Sequence, residues 1–340
     1  MRFWNYCEFI SLALLFLTGC MSINPAGSAE YMNPSFANEM KGFFFCGSAP
    51  YSAVFPPNST VVWISEPANN RIWYKDVSKA IVNPVICDTL LLDFSPGLMA
   101  SPPTGSEIYV SQYYSNDIYS LNTETLIWKK VYTNSSSIKT MQLSSDGCTM
   151  YLGSQGSPWH IEAVSTSNWV QISSVSTDWP VLRLELAPDN SLIAAGNSGR
   201  SEIYLFNAED LSPADTLFMP MRTGTMAFTL DSRSLVVLDA ASNRPYMVKI
   251  NLDTGEEEFR SRPYNSYLIN QRIPGTNTLI LPRNQDERVS MLNMGNMIFA
   301  PSIPLSSRTG AVCVSHDGSY IVTISRTSTP GRATVFIKGE

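Results

Sequence analysis

The chain has 340 residues, a net charge of −6, 44% hydrophobic residues and 15% charged ones. That is a globular composition with ample material for a core, and its length admits either two average domains or one large all-β domain. An acidic balance with no basic tract excludes a nucleic-acid binder and a polybasic membrane surface.

Residues 1–19 come first in chain order. Arg2 precedes an apolar run, ISLALLFLT at 10–18, which has the length of a signal-peptide core. It is shorter than the ~20 apolar residues a spanning helix needs. The run ends in Leu17-Thr18-Gly19-Cys20, which resembles the lipobox of bacterial lipoproteins. The resemblance implies cleavage before Cys20, a diacylglyceryl group on its thiol and an acylated amino terminus. Two or three such chains make a lasting anchor, at ~0.8 kcal/mol per buried CH₂. Met21 stands where inner-membrane retention uses Asp, so the same resemblance implies the outer membrane. Residues 20–38 are rich in Pro, Ser, Asn and Ala without periodicity and read as a lipid-anchored tether. Of the remaining cysteines, Cys46, Cys87, Cys148 and Cys313 show no CxxC, zinc or haem spacing and are expected mostly as small buried apolar residues.

From residue 39 to the end the chain repeats a polar turn followed by an alternating apolar strand, as in LSSDGCTMYLGS (143–154) and VSHDGSYIVTIS (314–325). The residues in the Gly slot of the turn are Asn58, Gly105, Gly147, Asn190, Ser232, Thr276 and Gly318, at intervals of 47, 42, 43, 42, 44 and 42. Seven units of this period without helical periodicity predict a seven-bladed β-propeller over 39–340, all-β. Gly and Asn tolerate the left-handed backbone of a tight hairpin turn, and a preceding Asp bonds its own turn; Ser232 and Thr276 fit less well. Each unit divides into four strands, for example 181–187, 192–197, 202–207 and 216–221 in the fourth, with continuous apolar inner strands and a polar outer one. The last unit is one strand short, while Lys41–Cys46 (KGFFFC) has no unit of its own. An N-terminal strand completing the last blade uses both.

The second unit, GSEIYVSQYYSNDIYSLNTET from Gly105 to Thr125, resembles the YVTN repeat of exported bacterial propellers, and INLDTGE (250–256) echoes its end. That group includes surface proteins, binding proteins and lactonase-like enzymes, so the resemblance implies fold and compartment and leaves activity open.

No catalytic constellation stands out: GxSxG, HExxH, P-loop, GxGxxG and CxxCH are all missing from the sequence. His160 and His316 are expected in structural or solvated roles, and Glu256–Glu258 on a wet outer strand. No cofactor is expected, although a structural cation such as calcium is compatible with a central channel. In a propeller the turns between first and second strands gather on one face, and the second-to-third loops and blade connections on the other. The second set carries Tyr113, Tyr114, Trp159, Trp179, Arg222, Arg244, Tyr264, Arg283 and Arg308, a candidate binding face, because exposed Tyr, Trp and Arg make recognition hot spots. Arg-Thr-Gly even recurs at 222–224 and 308–310. The expectation is an exported, lipid-anchored envelope propeller that binds an envelope protein or surface ligand without catalysis and meets the membrane through its lipid alone. A lactonase- or lyase-like enzyme with its site at the channel mouth is the alternative.

Overall fold

The computed structural model describes residues 40–79, 87–240, 246–263, 270–283, 286–305, 308–325 and 330–337. The leader, Cys20 and the tether lie outside the described residues, as do Arg244 and Tyr264.

The repeats fold into seven small antiparallel sheets ringed round an axis, a seven-bladed β-propeller. Blade 1 holds β2 (Ala53–Val54), β3 (Val61–Glu66), β4 (Arg71–Asp76) and β5 (Asp88–Leu91). Blade 2 holds β6 (Pro96–Ala100), β7 (Glu107–Gln112), β8 (Asp117–Asn122) and β9 (Trp128–Thr133). Blade 3 is β10 (Ile138–Leu143), β11 (Thr149–Ser154), β12 (His160–Ser165) and β13 (Gln171–Ser176). Blade 4 is β14 (Arg183–Leu186), β15 (Leu192–Gly196), β16 (Glu202–Asn207) and β17 (Pro213–Phe218). Blade 5 runs from β18 (Thr223–Phe228) through β19 (Ser234–Asp239) and β20 (Met247–Asn251) to β21 (Glu257–Ser261).

Blade 6 has a two-residue inner strand, β22 (Gln271–Arg272), then β23 (Thr278–Pro282) and β24 (Arg288–Asn293). Its outer edge is split into β25 (Ile298–Phe299) and β26 (Ile303–Pro304), both paired with β24. Blade 7 contributes β27 (Thr309–Val314), β28 (Tyr320–Ser325) and β29 (Arg332–Ile337), and β1 (Met40–Phe45) completes it against β29. The spare N-terminal stretch thus closes the ring, as the strand count requires.

The core is divided among the seams. Period-2 alternation sends neighbouring residues of one strand to opposite faces, and each face meets the next blade. In β19, Leu235 and Val237 join the seam with blade 4, while Val236 and Leu238 join the seam with blade 6. There is one such cluster in each of the seven seams. The closing seam joins Phe44, Val322, Ile324 and Val335 of blade 7 to Phe55, Val62 and Ile64 of blade 1.

The turns explain the period. Asn58, Gly105, Gly147, Asn190, Ser232 and Gly318 all have positive φ. Asp146, Asp231 and Asp317 each accept a hydroxyl two residues back and an amide two residues on. In the sixth unit the left-handed residue is Gly275, with φ 69°, one earlier than the expected Thr276. The outer strand of blade 4 also differs from expectation. It begins at Pro213, and Met219 and Met221, read as strand, leave the sheet to be buried in the seam with blade 5. Three cysteines are buried and Cys148 is exposed; all four are free thiols.

Candidate binding face and central channel

Antiparallel order puts the second-to-third loops and the blade connections on the face where the inner strands begin. The nine candidate residues do not form one exposed set there. Tyr114 is 64% exposed, and Arg222 and Arg308 are exposed as well. Trp159 and Tyr113 are half-buried. Arg283 is held by Asp286 at 3.2 Å. Trp179 is a correction: it is 2% exposed and packs with Tyr204, ring centroids 5.0 Å apart, inside the seam between blades 3 and 4. Its ring fills a gap between sheets, so it offers nothing to a partner. The recurring Arg-Thr-Gly has a backbone cause. In both copies the strand register shifts across the glycine, at Thr223/Thr225 and Thr309/Ala311. A Cβ on Gly224 would stand 2.7 Å from the backbone of Asp239 and Ala240.

The inner strands enclose a central channel of about 680 Å³, lined from all seven blades. Its wall carries hydroxyls and amides, including Ser52, Thr140, Gln142, Thr225 and Asn270, and the charged groups Lys139, Arg183 and Glu185. Several of these tie one blade to the next. Gln142 Nε2 donates to Leu184 O at 3.1 Å, Arg183 Nε to Gly224 O at 3.0 Å, and Asn270 Nδ2 to Met226 O at 2.6 Å. Arg272 of β22 donates to Phe228 O while its buried Nε has no hydrogen-bond partner. Glu185 loses hydration in the ring, and its carboxyl is pushed up to about 7 despite the opposing charge of Arg272. Burial pulls the guanidinium groups of Arg183 and Arg272 downward from the ordinary range. Sequence reading passed over these residues; their only signal was charge within inner strands, IKTMQL and RLEL, where apolar runs were expected. His316 lies exposed in a turn beside the opposite mouth, as expected.

At the mouth where the inner strands begin, three tyrosines meet edge to face. Tyr51 and Tyr113 have centroids 4.9 Å apart, and Tyr113 and Tyr114 4.3 Å. The ammonium of Lys139 lies 6.0 Å from the Tyr114 ring centroid. Gly97 makes the arrangement fit: a Cβ there would stand 2.9 Å from Ser111 Oγ and 3.2 Å from Tyr113 Cα.

A second polar cluster lies between blades 2 and 3. His160 is 4% exposed, and its Nε2 is 3.1 Å from Glu162 Oε1 while Nδ1 faces Pro158 O at 2.8 Å. Tyr132 and Ser135 each donate to Glu162 at 2.8 Å, and Ser135 Oγ is 3.0 Å from His160 Nε2. The bond to Glu162 raises the His160 pKa against the effect of burial; burial raises the Glu162 carboxyl, but the bonds from His160, Ser135 and Tyr132 bring it below the ordinary range. Acceptors at both ring nitrogens, Glu162 Oε1 and Pro158 O, favour the imidazolium form. A nucleophilic serine needs Nε2 free to take its proton, and here that nitrogen is committed to the carboxylate. The trio is an ion-pair network that joins two blades. Among the described residues no group of three or more His, Cys, Asp or Glu is placed to hold a metal ion.

No protein-family model matches the chain, and no curated protein does. Solved structures do match, 1750 chains of them, a number that marks a widely shared fold. One is the hydrazine synthase of Kuenenia stuttgartiensis, with a TM-score of 0.72 and 15% identity, covering 86% of this chain and 96% of that one. At that identity the likeness concerns the fold alone.

Proposed function

We propose that the chain is an exported bacterial lipoprotein, anchored through Cys20, whose propeller is a non-catalytic binding module of the cell envelope. The lipobox-like Leu17–Cys20 supports the anchor, and Met21 supports the outer membrane. The observation that carries the binding role is the exposed Tyr114, with Arg222 and Arg308, on the loop face of a rigid ring. Aromatic rings and guanidinium groups offer ring area and bidentate hydrogen bonds to carboxylates. The partner is an envelope protein or a surface ligand.

Two measurements test the two halves of this reading. Fatty-acid labelling should mark the wild type and not Cys20→Ser; an unlabelled wild type rejects the anchor. Cross-linking in intact envelopes should capture a partner through the full chain, and the Tyr114→Ala, Arg222→Ala, Arg308→Ala triple variant should weaken capture by about thirtyfold or more, the loss of one hot spot. Capture that survives the triple variant but falls with changes on an outer strand such as β21 moves the interface to the rim.

A further inference from the structure

Tyr114 has φ 51°, in the left-handed region that glycine and asparagine normally occupy. It sits third in the turn Gln112–Ser115, which is closed by Ser115 N donating to Gln112 O at 3.2 Å. Other bulky residues share that backbone at the turns between third and fourth strands and pack into the seams: Leu211 is 1% exposed and Met297 5%, while Leu126 and Trp169 are half-buried. Their packing compensates the strain. Tyr114 is 64% exposed, and among the described residues its ring meets Tyr113 edge to face at 4.3 Å and the Lys139 ammonium at 6.0 Å without being buried. Strain kept at an exposed aromatic is a mark of a working site.

What surrounds the ring narrows the ligand. Lys139 lies beside it and makes no ion pair among the described residues. The register places Arg183 against Gly196 as Thr140 stands against Gly153, so Arg183 is one residue deeper than Lys139. Glu185 lies two residues further in, roughly 7 Å along the strand. Among the described residues the channel wall therefore holds two cations, Lys139 and Arg183, against one carboxylate, Glu185, although the whole chain has a net charge of −6. The remaining wall sets hydroxyls and amides, such as Ser52, Thr140 and Gln142, among apolar side chains, such as Leu98, Met141 and Met226, the mixture that a sugar with polar edges and an apolar face meets on both sides.

We infer that this mouth binds the end of an acidic oligosaccharide, a sugar ring carrying a carboxylate. The apolar face of the ring stacks on Tyr114, the carboxylate meets Lys139 and then Arg183, and the sugar hydroxyls meet Ser52, Thr140 and Gln142. A flat apolar face, a polar rim and a negative charge are united in that class. The inference rests on the reading of this loop face as the working face, and it names what the face recognises.

Calorimetry with the full chain in detergent tests it, using trigalacturonate and sialyllactose as acidic probes, galactotriose as the neutral one and pentaglutamate as a charge control. At least one acidic sugar should bind, with galactotriose and pentaglutamate weaker by about tenfold or more. Tyr114→Gly and Lys139→Ala should each weaken the acidic sugar by about tenfold. Tyr114→Gly should also melt no lower than the wild type, because glycine accepts the left-handed backbone. Failure of both acidic sugars overturns the inference, and the cross-linking capture then judges the loop face by itself. Equal binding of pentaglutamate means that charge alone is read, and the sugar class falls. A Tyr114→Gly variant that melts lower removes the strain on which the site is built.

Discussion

Glu185 and Arg183 stand two residues apart on β14, yet among the described residues only the side chain of Arg183 has hydrogen-bond partners. Arg183 donates to Leu182 O and Gly224 O, while Glu185 faces the channel with its carboxyl pushed up to about 7 by lost hydration. A folded-state pKa above the unfolded one means that the folded chain holds the proton more tightly. Stability is therefore full below the ordinary carboxylate range and falls as pH rises from about 4.5 toward 7. Glu185→Gln should raise the melting temperature at about pH 8, where the wild type carries a dehydrated charge, and the gain should vanish near pH 4.5. A variant that melts lower at high pH would mean that the ionised carboxylate is held by a partner. The His160–Glu162 pair follows the opposite logic. The histidine contribution is lost as pH rises through its raised pKa, and the glutamate contribution as pH falls through its lowered one, so the pair stabilises most between the two. Neither site was legible in the sequence. Glu162 lies two residues beyond a histidine that reads as a loop residue, and its other partners come from a different blade. Trp179 shows the reverse failure, because an aromatic beside Pro180 in a connection reads as exposed until the seam it fills is in view.

Among the elements, the turns after the first strands were readable because their left-handed slot is filled by Gly or Asn in most units. A second series with the same period was not readable. Leu126, Trp169, Leu211, Gly255 and Met297 all have positive φ at the turns between third and fourth strands. In the first four of these turns the left-handed residue donates its N–H to the carbonyl four residues earlier, as Leu211 does to Asn207 at 2.9 Å. Asn122, Asn251 and Asn293 accept amides within the turn through their side-chain oxygens. Apolar residues in these slots give no turn signal, and packing into the seams explains why they are tolerated: Leu211 and Met297 are buried, Leu126 and Trp169 half-buried. Leu211 and Tyr114 are thus opposite cases of one backbone. Leu211→Gly removes a strain worth about 1–2 kcal/mol but forfeits the packing of a buried leucine, about 2–5 kcal/mol. The variant should therefore melt lower than the wild type, whereas Tyr114→Gly should not. A Leu211→Gly chain as stable as the parent would mean that the seam collapses to fill the space.

For the whole molecule, the repeat period and the strand count were enough to predict seven blades and the strand that closes them. The channel chemistry was out of reach because it is assembled from residues of every blade. Closure depends on β1, whose Phe44 is 1% exposed, and just past its end Cys46 donates its amide to Gly331 O at 2.9 Å. Deleting residues 39–46 should leave β29 as an open edge and strip the seam with blade 1 of a fully buried phenylalanine. An open edge templates association, so thermal unfolding should come earlier and scattering should rise, whereas deleting 21–36 should change neither. A truncated chain that melts like the full one would mean that the ring is held by its other six seams.

The closing strand also fixes how the ring meets force. A pull applied at Met40, the first residue of β1, acts on this strand before any other part of the fold. The load then falls on its ladder with β29 and on the cation–π contact of Arg332 over Phe43, 3.5 Å from the ring centroid. Blades 2 to 6 lie outside that path until the ladder gives way. Under such a pull the release of β1 from β29 is the expected first event, and force spectroscopy on the full chain reads it as a short step before the blades unfold.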